Sequence, residues 1–306
     1  MKKVLKKVLM ISAIALVFAA AGLLQRSYSA PSSSVQETIS GDWTAKVKQT
    51  DKGPVLWLSL NHGSEGRKGG SQMSCDFPLQ AFTGLNPNAN SNVQFTLQRE
   101  AGVVFFDGLF KDGRGVGDFR FEPNSGFIAT MRGLGYDGLT TEKLFSMAVL
   151  DVGVNFINEL KSLGYDKLSL DQLFGLRALG VTAVFIKEAR DWGFGKLSAD
   201  ELIEIKAMGI NPDYIHSMKS LGFDDLSLKK VIELKALGVN EDYVKEMRSV
   251  GFENIPVNKL IEMKAMGITA DYVRKMRELG LKNVSINELI QIKATGADKI
   301  LAREKR

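Results

Sequence analysis

Two hydrophobic periods divide the chain, with the change between them near residue 123. From Asp42 onward, Trp43, Ala45 and Val47 alternate with polar residues, which is typical of a strand with one buried face. After Asn124, apolar residues recur three and four positions apart, as in amphipathic helices. The pattern predicts a segregated α+β chain: a small antiparallel β-sandwich or barrel over 41–123, followed by a helical region.

The β region is predicted to contain five or six short strands joined by glycine-rich turns. The glycine-rich stretch from Asn61 to Gly70 predicts a long loop or hairpin tip, the natural place for a ligand if this domain binds one. Gly113, Gly115 and Gly117 resemble a phosphate-binding loop in spacing. A strand follows them where a nucleotide fingerprint requires a helix, so a hairpin turn is predicted instead.

Glycine recurs every 29 residues in the helical region, in two series. A glycine that follows an apolar helical stretch marks a left-handed C-cap, and aspartate is among the few residues that tolerate that backbone. Asp151 stands where the second series would begin. The two series therefore predict two helices per repeat. Their members are Gly135, Gly164, Gly193, Gly222, Gly251 and Gly280, and Gly180, Gly209, Gly238, Gly267 and Gly296.

One copy shows how each helix begins. Ser198 and Glu201 form a capping-box pattern that opens a helix ending near Met208, and Asn211 with Pro212 opens the next helix. Other copies carry the same signals, except that one has proline and so lacks a hydroxyl cap. The equivalent positions are Ser169 with Gln172, Ser227, Pro256, and Ser285 with Glu288.

Helices of about three turns cannot bury an apolar stripe alone, so neighbouring copies are predicted to stack as an α-solenoid over 124–296. The array begins and ends with half a repeat, near Asn124 and near Thr295, and 297–306 is predicted as a charged tail. An aromatic column at the same repeat position is predicted to be core rather than a ladder for a ligand. It consists of Phe156, Phe185, Tyr214, Tyr243 and Tyr272.

The first 29 residues have the pattern of a signal peptide: four lysines, an apolar run over 8–24, and small residues before a cleavage point after Ser29. The alternative is an uncleaved anchor to the inner membrane through 8–24, since 17 apolar residues are near the minimum for a spanning helix. Residues 30–40 are predicted as a linker. The protein is therefore expected to be periplasmic or secreted.

Removal of the predicted leader changes the net charge of the protein. The leader carries five of the 40 basic residues and no acidic ones, which leaves 35 basic residues against 35 acidic ones. A neutral mature chain lacks the concentrated basic surface that nucleic-acid binding requires. Cys75 is the only cysteine, which excludes an intramolecular disulfide.

No residue pattern predicts catalysis. His62 and His216 are the only histidines, and the sequence has no His-Glu-x-x-His motif, cysteine pair or Gly-x-Ser-x-Gly elbow. The acidic pairs Asp200-Glu201 and Asp224-Asp225 are predicted at helix starts, where negative charge offsets the helix dipole. We therefore expect a protein that is not an enzyme, with no cofactor or metal.

Two basic columns precede the two glycine series by three residues. Cations in the last turn of a helix favour its exposed carbonyls. The alternative is a positive ribbon that recognises an acidic partner along the array. The columns are Arg177, Lys206, Lys235, Lys264 and Lys293, and Lys161, Arg190, Lys219, Arg248 and Arg277.

The repeat from Gly238 to Arg248, followed by Gly251-Phe252, resembles extracytoplasmic repeats appended to bacterial membrane metallopeptidases of the β-lactam sensor-transducer type. The stretches Arg99 to Gly102, Gly108 to Gly115 and Met131 to Tyr136 resemble the β-module that precedes such repeats. The resemblance covers nearly the whole mature chain and implies an envelope module of sensing or interaction type. The peptidase motif is absent, so no protease activity is implied.

These observations favour an exported, non-enzymatic envelope protein whose helical repeats bind another protein. In one form of this hypothesis the protein has a regulatory role. The alternative is a sensor of a small envelope ligand or peptidoglycan fragment that binds through the β domain. A hydrolase assembled from scattered acids is a remote alternative. The binding residues, the partner and the oligomeric state are not specified by the sequence, and membrane contact is expected only through an uncleaved leader.

Overall fold

The computed structural model describes residues 38–51, 53–63 and 71–304. The predicted leader, most of the predicted linker and residues 64–70 of the predicted loop lie outside these ranges. The chain forms two compact units, Met1–Ala178 and Leu179–Arg306.

The β region is a single antiparallel sheet with the form of a half-barrel, and its strand order is β3-β2-β1-β7-β6-β5-β4. The segregated α+β order is confirmed, and of the two predicted alternatives the single curved sheet agrees with the barrel rather than the sandwich, with seven strands instead of the five or six expected. Ile39 and Ser40, assigned to the linker from the sequence, begin the first strand. The strands are β1 Ile39–Thr50, β2 Gly53–His62, β3 Ser71–Pro78, β4 Phe82–Thr83, β5 Ser91–Arg99, β6 Gly102–Lys111 and β7 Arg114–Pro123.

Aromatic side chains fill the inner face of the sheet. Trp43, Phe110 and Phe121 are fully buried, and the burial of Trp43 is as the alternation in β1 predicts. The helix Thr141–Leu150 covers this face and contacts β1, β6 and β7. Its Phe145 is fully buried and stacks on Phe119, with ring centroids 5.5 Å apart. This core belongs to the first unit and joins the sheet to its helices.

Glycines on β6 and β7 allow the Trp43 ring to lie close to the backbone. A Cβ on Gly115 would lie 2.6 Å from a Trp43 ring carbon, and one on Gly117 would collide with the carbonyl oxygen of Asp107. The Trp43 indole N–H donates to that same carbonyl over 3.1 Å. The close approach of ring and strands therefore requires glycine at both positions.

Replacing Gly117 with alanine should destabilise the protein by about 1–3 kcal/mol, because the new methyl group forces β6 and β7 apart. The matched control is Gly133→Ala. Gly133 lies in a helix with open space where a Cβ would be, so the same change should stabilise by about 0.5–1 kcal/mol. Thermal unfolding of both variants measures the difference. A Gly117 variant as stable as the parent would contradict the close approach.

The turn between β6 and β7 confirms the predicted hairpin. Asp112 and Gly113 both have positive φ, 50° and 72°, which is the type I′ pattern. Lys111 and Arg114 pair directly across the turn. Because a strand lies on each side of this turn, the turn has no helix N-terminus that could bind a phosphate.

The helical region begins at Ser125 and continues to Glu304. Residues 297–304, predicted as a charged tail, form the last helix. The first unit contains α1 Ser125–Gly133, α2 Thr141–Leu150, α3 Val154–Ser162 and α4 Leu170–Ala178. The second contains α5 Ala183–Ala189, a π-helical turn Arg190–Phe194, α6 Ala199–Ala207, α7 Pro212–Ser220, α8 Leu228–Ala236, α9 Glu241–Ser249, α10 Val257–Ala265, α11 Ala270–Glu278, α12 Ile286–Thr295 and α13 Ala297–Glu304.

The predicted caps are confirmed. Ser198 and Glu201 form a reciprocal capping box at the start of α6, and Ser285 forms the same box with Glu288. The Asn211 side chain accepts from the N–H of Tyr214, and Pro212 occupies the first turn of α7. At α10, Pro256 supplies no side-chain cap, as expected.

The left-handed C-caps are also confirmed. Gly209 has a φ of 63°, and its neighbours close a Schellman motif in which the N–H of Ile210 donates to the carbonyl of Ile205 over 2.9 Å. Asp151 adopts the same left-handed conformation, with φ 58° and ψ 44°. Its carboxylate binds Arg99, with Nε at 3.0 Å, and also Arg177. These two ion pairs explain why aspartate takes the place of glycine here.

The turn between β5 and β6 is attached to α3 within the first unit. The Glu100 carboxylate accepts from the N–H of Val154 over 3.1 Å and so caps a helix whose own N-cap, Gly153, has no side chain. Arg99, next to Glu100, binds Asp151 at the end of α2. The Arg99-Glu100 pair therefore fixes both helix ends to the sheet.

Candidate functional site

The aromatic column is part of the core, as predicted. Phe156, Phe185, Tyr214 and Tyr243 are each less than one-tenth exposed, and Tyr272 is half-buried. The four buried rings are therefore closed to a ligand in the described fold.

The first basic column lies over these rings. Each cation faces the ring 21 residues earlier at a distance typical of a cation–π contact, which is worth about 0.5–1 kcal/mol at exposed sites. The pairs are Arg177 Cζ over Phe156 at 5.0 Å, Lys206 Nζ over Phe185 at 4.3 Å, Lys235 over Tyr214 at 4.4 Å, Lys264 over Tyr243 at 4.0 Å and Lys293 over Tyr272 at 4.3 Å.

Members of the second basic column donate to backbone carbonyls 27 residues earlier. Arg248 donates to the carbonyl of Leu221 over 2.6 Å, and Lys219 to that of Trp192 over 3.4 Å. Arg277 repeats the contact with Val250 over 2.6 Å. These cations therefore stabilise the ends of preceding helices, as the sequence predicts for cations near helix C-termini.

Tyrosine hydroxyls make a third recurring contact. Tyr214 donates to the carbonyl of Val239 over 2.9 Å, and Tyr243 donates to that of Ile268 over 2.8 Å, each 25 residues along. Burial raises the pKa of both hydroxyls above the ordinary value for tyrosine. The polar end of each ring is thus satisfied inside the helical core.

These pKa shifts predict a loss of stability in alkali. An unfolded tyrosine ionises near pH 10, whereas buried Tyr214 and Tyr243 keep their protons to higher pH. The unfolded state therefore holds fewer protons above pH 10, and stability should fall by about 1.4 kcal/mol per pH unit for each tyrosine.

The double change Tyr214→Phe and Tyr243→Phe should flatten this fall above pH 10. It should also lower stability at pH 7 by about 0.5–1.5 kcal/mol per lost hydrogen bond. Urea unfolding at pH 7 to 11.5 measures both effects. An unchanged alkaline slope in the variant would mean that these hydroxyls are not buried.

A cleft opens in the second unit beside the π-helical turn. It encloses about 530 Å³ and is lined by residues between Trp192 and Val231, so we call it the Trp192 cleft. The Trp192 ring lies edge-on to Phe185, with centroids 5.7 Å apart. Helix α7 supplies Ile215 to the wall, and the loop before α8 supplies Phe223.

The first unit contains an equivalent cleft of about 720 Å³, lined by residues between Leu134 and Leu173, which we call the Tyr136 cleft. Each residue that lines it has a counterpart 58 positions later, twice 29, in the Trp192 cleft. The two clefts are therefore lined by corresponding residues, 58 positions apart. Matched residues include Tyr136 and Phe194, Ile157 and Ile215, Lys161 and Lys219, Tyr165 and Phe223, Asp166 and Asp224, and Ser169 and Ser227.

The clefts differ in charge at one matched position, where Lys167 in one corresponds to Asp225 in the other. The structure corrects the prediction for Asp224-Asp225, because α8 begins only at Leu228 and has no acidic residue in its first turn. Both aspartates lie on the cleft instead. Asp200-Glu201 does lie in the first turn of α6, as predicted.

Histidine 62 is a core residue of the first unit. It belongs to β2 rather than to the predicted loop, and it is only 7% exposed. Its ring meets Phe119 and Phe145 edge-on, and its Nδ1 lies 3.5 Å from a Glu142 carboxylate oxygen. His216 is exposed on α7. Packing against these rings accounts for the burial of His62.

A row of aspartates crosses the outer face of the sheet. Asp42, Asp118 and Asp107 are paired directly across β1, β7 and β6, and all are exposed. Gln94 donates to Asp107 over 2.6 Å. Within the described ranges, no group of three or more His, Cys, Asp or Glu side chains has an arrangement that could hold a metal ion. Like charges in this register cost stability.

The described part of the chain contains no helix with the length and hydrophobicity needed to cross a bilayer. Comparison with protein family models finds no match, and a search of curated protein sequences also finds none.

Proposed function

We propose that this chain is an exported, non-enzymatic protein of the cell envelope whose helices form a solenoid of 29-residue, two-helix repeats that binds another protein. The observation that carries the proposal is the pair of matched clefts. A partially apolar groove that recurs at the same repeat position is the kind of surface that repeat proteins offer to an extended polypeptide.

The recurring side-chain contacts support the same proposal. Rings, cations and tyrosine hydroxyls at fixed offsets of 21, 27 and 25 residues join successive copies. In these contacts the apolar side chains and many of the basic side chains pack against neighbouring helices. The clefts remain as accessible recessed surface with exposed charged residues, such as Asp224 and Asp166, along them.

Site-specific photo-crosslinking in cells tests the proposal. A benzophenone amino acid in place of Phe223, in the Trp192 cleft, should give an adduct with one envelope protein. Phe105 is the matched control, because it is also a half-buried phenylalanine but belongs to β6 in the sheet.

The pattern of adducts decides between the hypotheses. A protein adduct at 223 that is absent at 105 supports the solenoid as the binding surface. Adducts at 105 alone would favour a partner of the β domain, and no protein adduct at either position would contradict the proposed function.

A further inference from the structure

We propose that the Trp192 cleft binds an extended peptide segment in which an apolar side chain enters the cleft and an adjacent lysine or arginine pairs with Asp224 and Asp225. This inference rests on the proposed function and names the chemistry of its partner. The Tyr136 cleft, with the same frame and a different charge, should reject that segment.

Apolar side chains make up much of the cleft, and four of them are aromatic rings or a leucine near its opening loop. Trp192 is almost fully buried, while Phe194, Phe223 and Leu226 remain half-exposed. Half-exposed rings around a recess lose further contact with water when an apolar side chain enters, and this favours binding. The volume of about 530 Å³ suits a few residues of an extended chain.

The charge of the cleft points to a basic neighbour for that side chain. Asp224 and Asp225 are exposed, and neither makes an ion pair with any residue of the described chain. Glu201 is already engaged by Ser198, and Lys219 donates to the carbonyl of Trp192. Lys196 also lines the cleft, so its charged side chains are three carboxylates and two lysines, with one negative charge in excess. The two adjacent carboxylates stand beside the apolar recess.

The Tyr136 cleft is an internal comparison. Asp166 matches Asp224, but Lys167 replaces Asp225, so two neighbouring negative charges are replaced by one negative and one positive charge. Phe223 is matched by Tyr165, which keeps an aromatic ring at that position. Selectivity between the clefts should thus depend on residue 225 and on residue 167.

The test uses the full chain and two synthetic peptides, Gly-Ser-Lys-Phe-Lys-Ser-Gly and Gly-Ser-Glu-Phe-Glu-Ser-Gly. The indole N–H signal of Trp192, assigned with Trp192→Phe, reports binding in NMR titrations. The lysine peptide should shift this signal, and Asp224→Asn with Asp225→Asn should weaken binding about three- to tenfold, as expected for exposed ion pairs. Lys167→Asp should create a second site for the lysine peptide in the Tyr136 cleft.

Equal binding of the glutamate peptide, or no effect of the double variant, would overturn the inference. No shift with the lysine peptide would overturn it as well. With any of these results, a crosslink from position 223 to an envelope protein would still support the proposed function. If no such crosslink forms, the proposed use of the helical surface is contradicted as well.

Discussion

Replacing Phe145 with alanine should destabilise the first unit by about 3–5 kcal/mol, the range for a large aromatic side chain removed from a core. Phe145 is fully buried between sheet and helix. Its ring centroid lies 5.5 Å from Phe119, 5.4 Å from Phe121 and 5.2 Å from His62. The change therefore leaves a cavity where α2 covers the inner face of the half-barrel.

Urea unfolding followed by tryptophan fluorescence measures this effect, because Trp43 lies in the same core. Leu109→Ala is the control, since Leu109 is 46% exposed on β6 and its loss should cost less than about 1 kcal/mol. If both variants unfold at the same urea concentration, α2 does not seal the sheet.

Replacing Phe185 with alanine should cost a similar amount, about 3–5 kcal/mol, in the second unit. The ring is 7% exposed, meets Trp192 edge-on, and carries Lys206 over its face. Its removal takes away a packing partner from the Trp192 cleft as well as from the helical core. The variant should therefore also bind the lysine peptide more weakly.

Val184→Ala is the matched control for Phe185→Ala. Val184 is the preceding residue of the same helix and is 64% exposed, so its truncation should leave the melting temperature nearly unchanged. Differential scanning calorimetry of both variants separates them. If Phe185→Ala and the parent have the same melting temperature, Phe185 is not part of the core.

Local features of the helices could be predicted because their signals are local. Ser198 with Glu201, Asn211 with Pro212, and the left-handed Asp151 all act within one helix end. Alternation along β1 likewise identified the buried face. In these cases the residues that interact are neighbours in the sequence.

Long-range features could not be predicted in the same way. Strand β3, with few large apolar residues, gives a weak alternation signal, and the sheet closes as a half-barrel through pairings between distant strands. Glu100 caps a helix that begins 54 residues later. Cations such as Lys235 were recognised as last-turn residues, but their contact with a ring 21 residues earlier depends on how helices pack.

The candidate site was missed for a related reason. The clefts are formed by a helix end, the following loop and the next helix start, and no single stretch reveals the recess. Asp224-Asp225 was assigned to a helix start that lies further along, at Leu228. The glycine-aromatic pair of each repeat, such as Gly222-Phe223, was the signal that could have located the clefts.

Our central proposal is that neighbouring 29-residue copies in the second unit support one another. Hydrogen exchange of Tyr243→Ala, read peptide by peptide by mass spectrometry, tests it most directly. Tyr243 contacts Lys264 of α10 and the carbonyl of Ile268, so exchange should rise in α9 and α10 and fade toward α6 and α13. Faster exchange confined to α9 would contradict the claim.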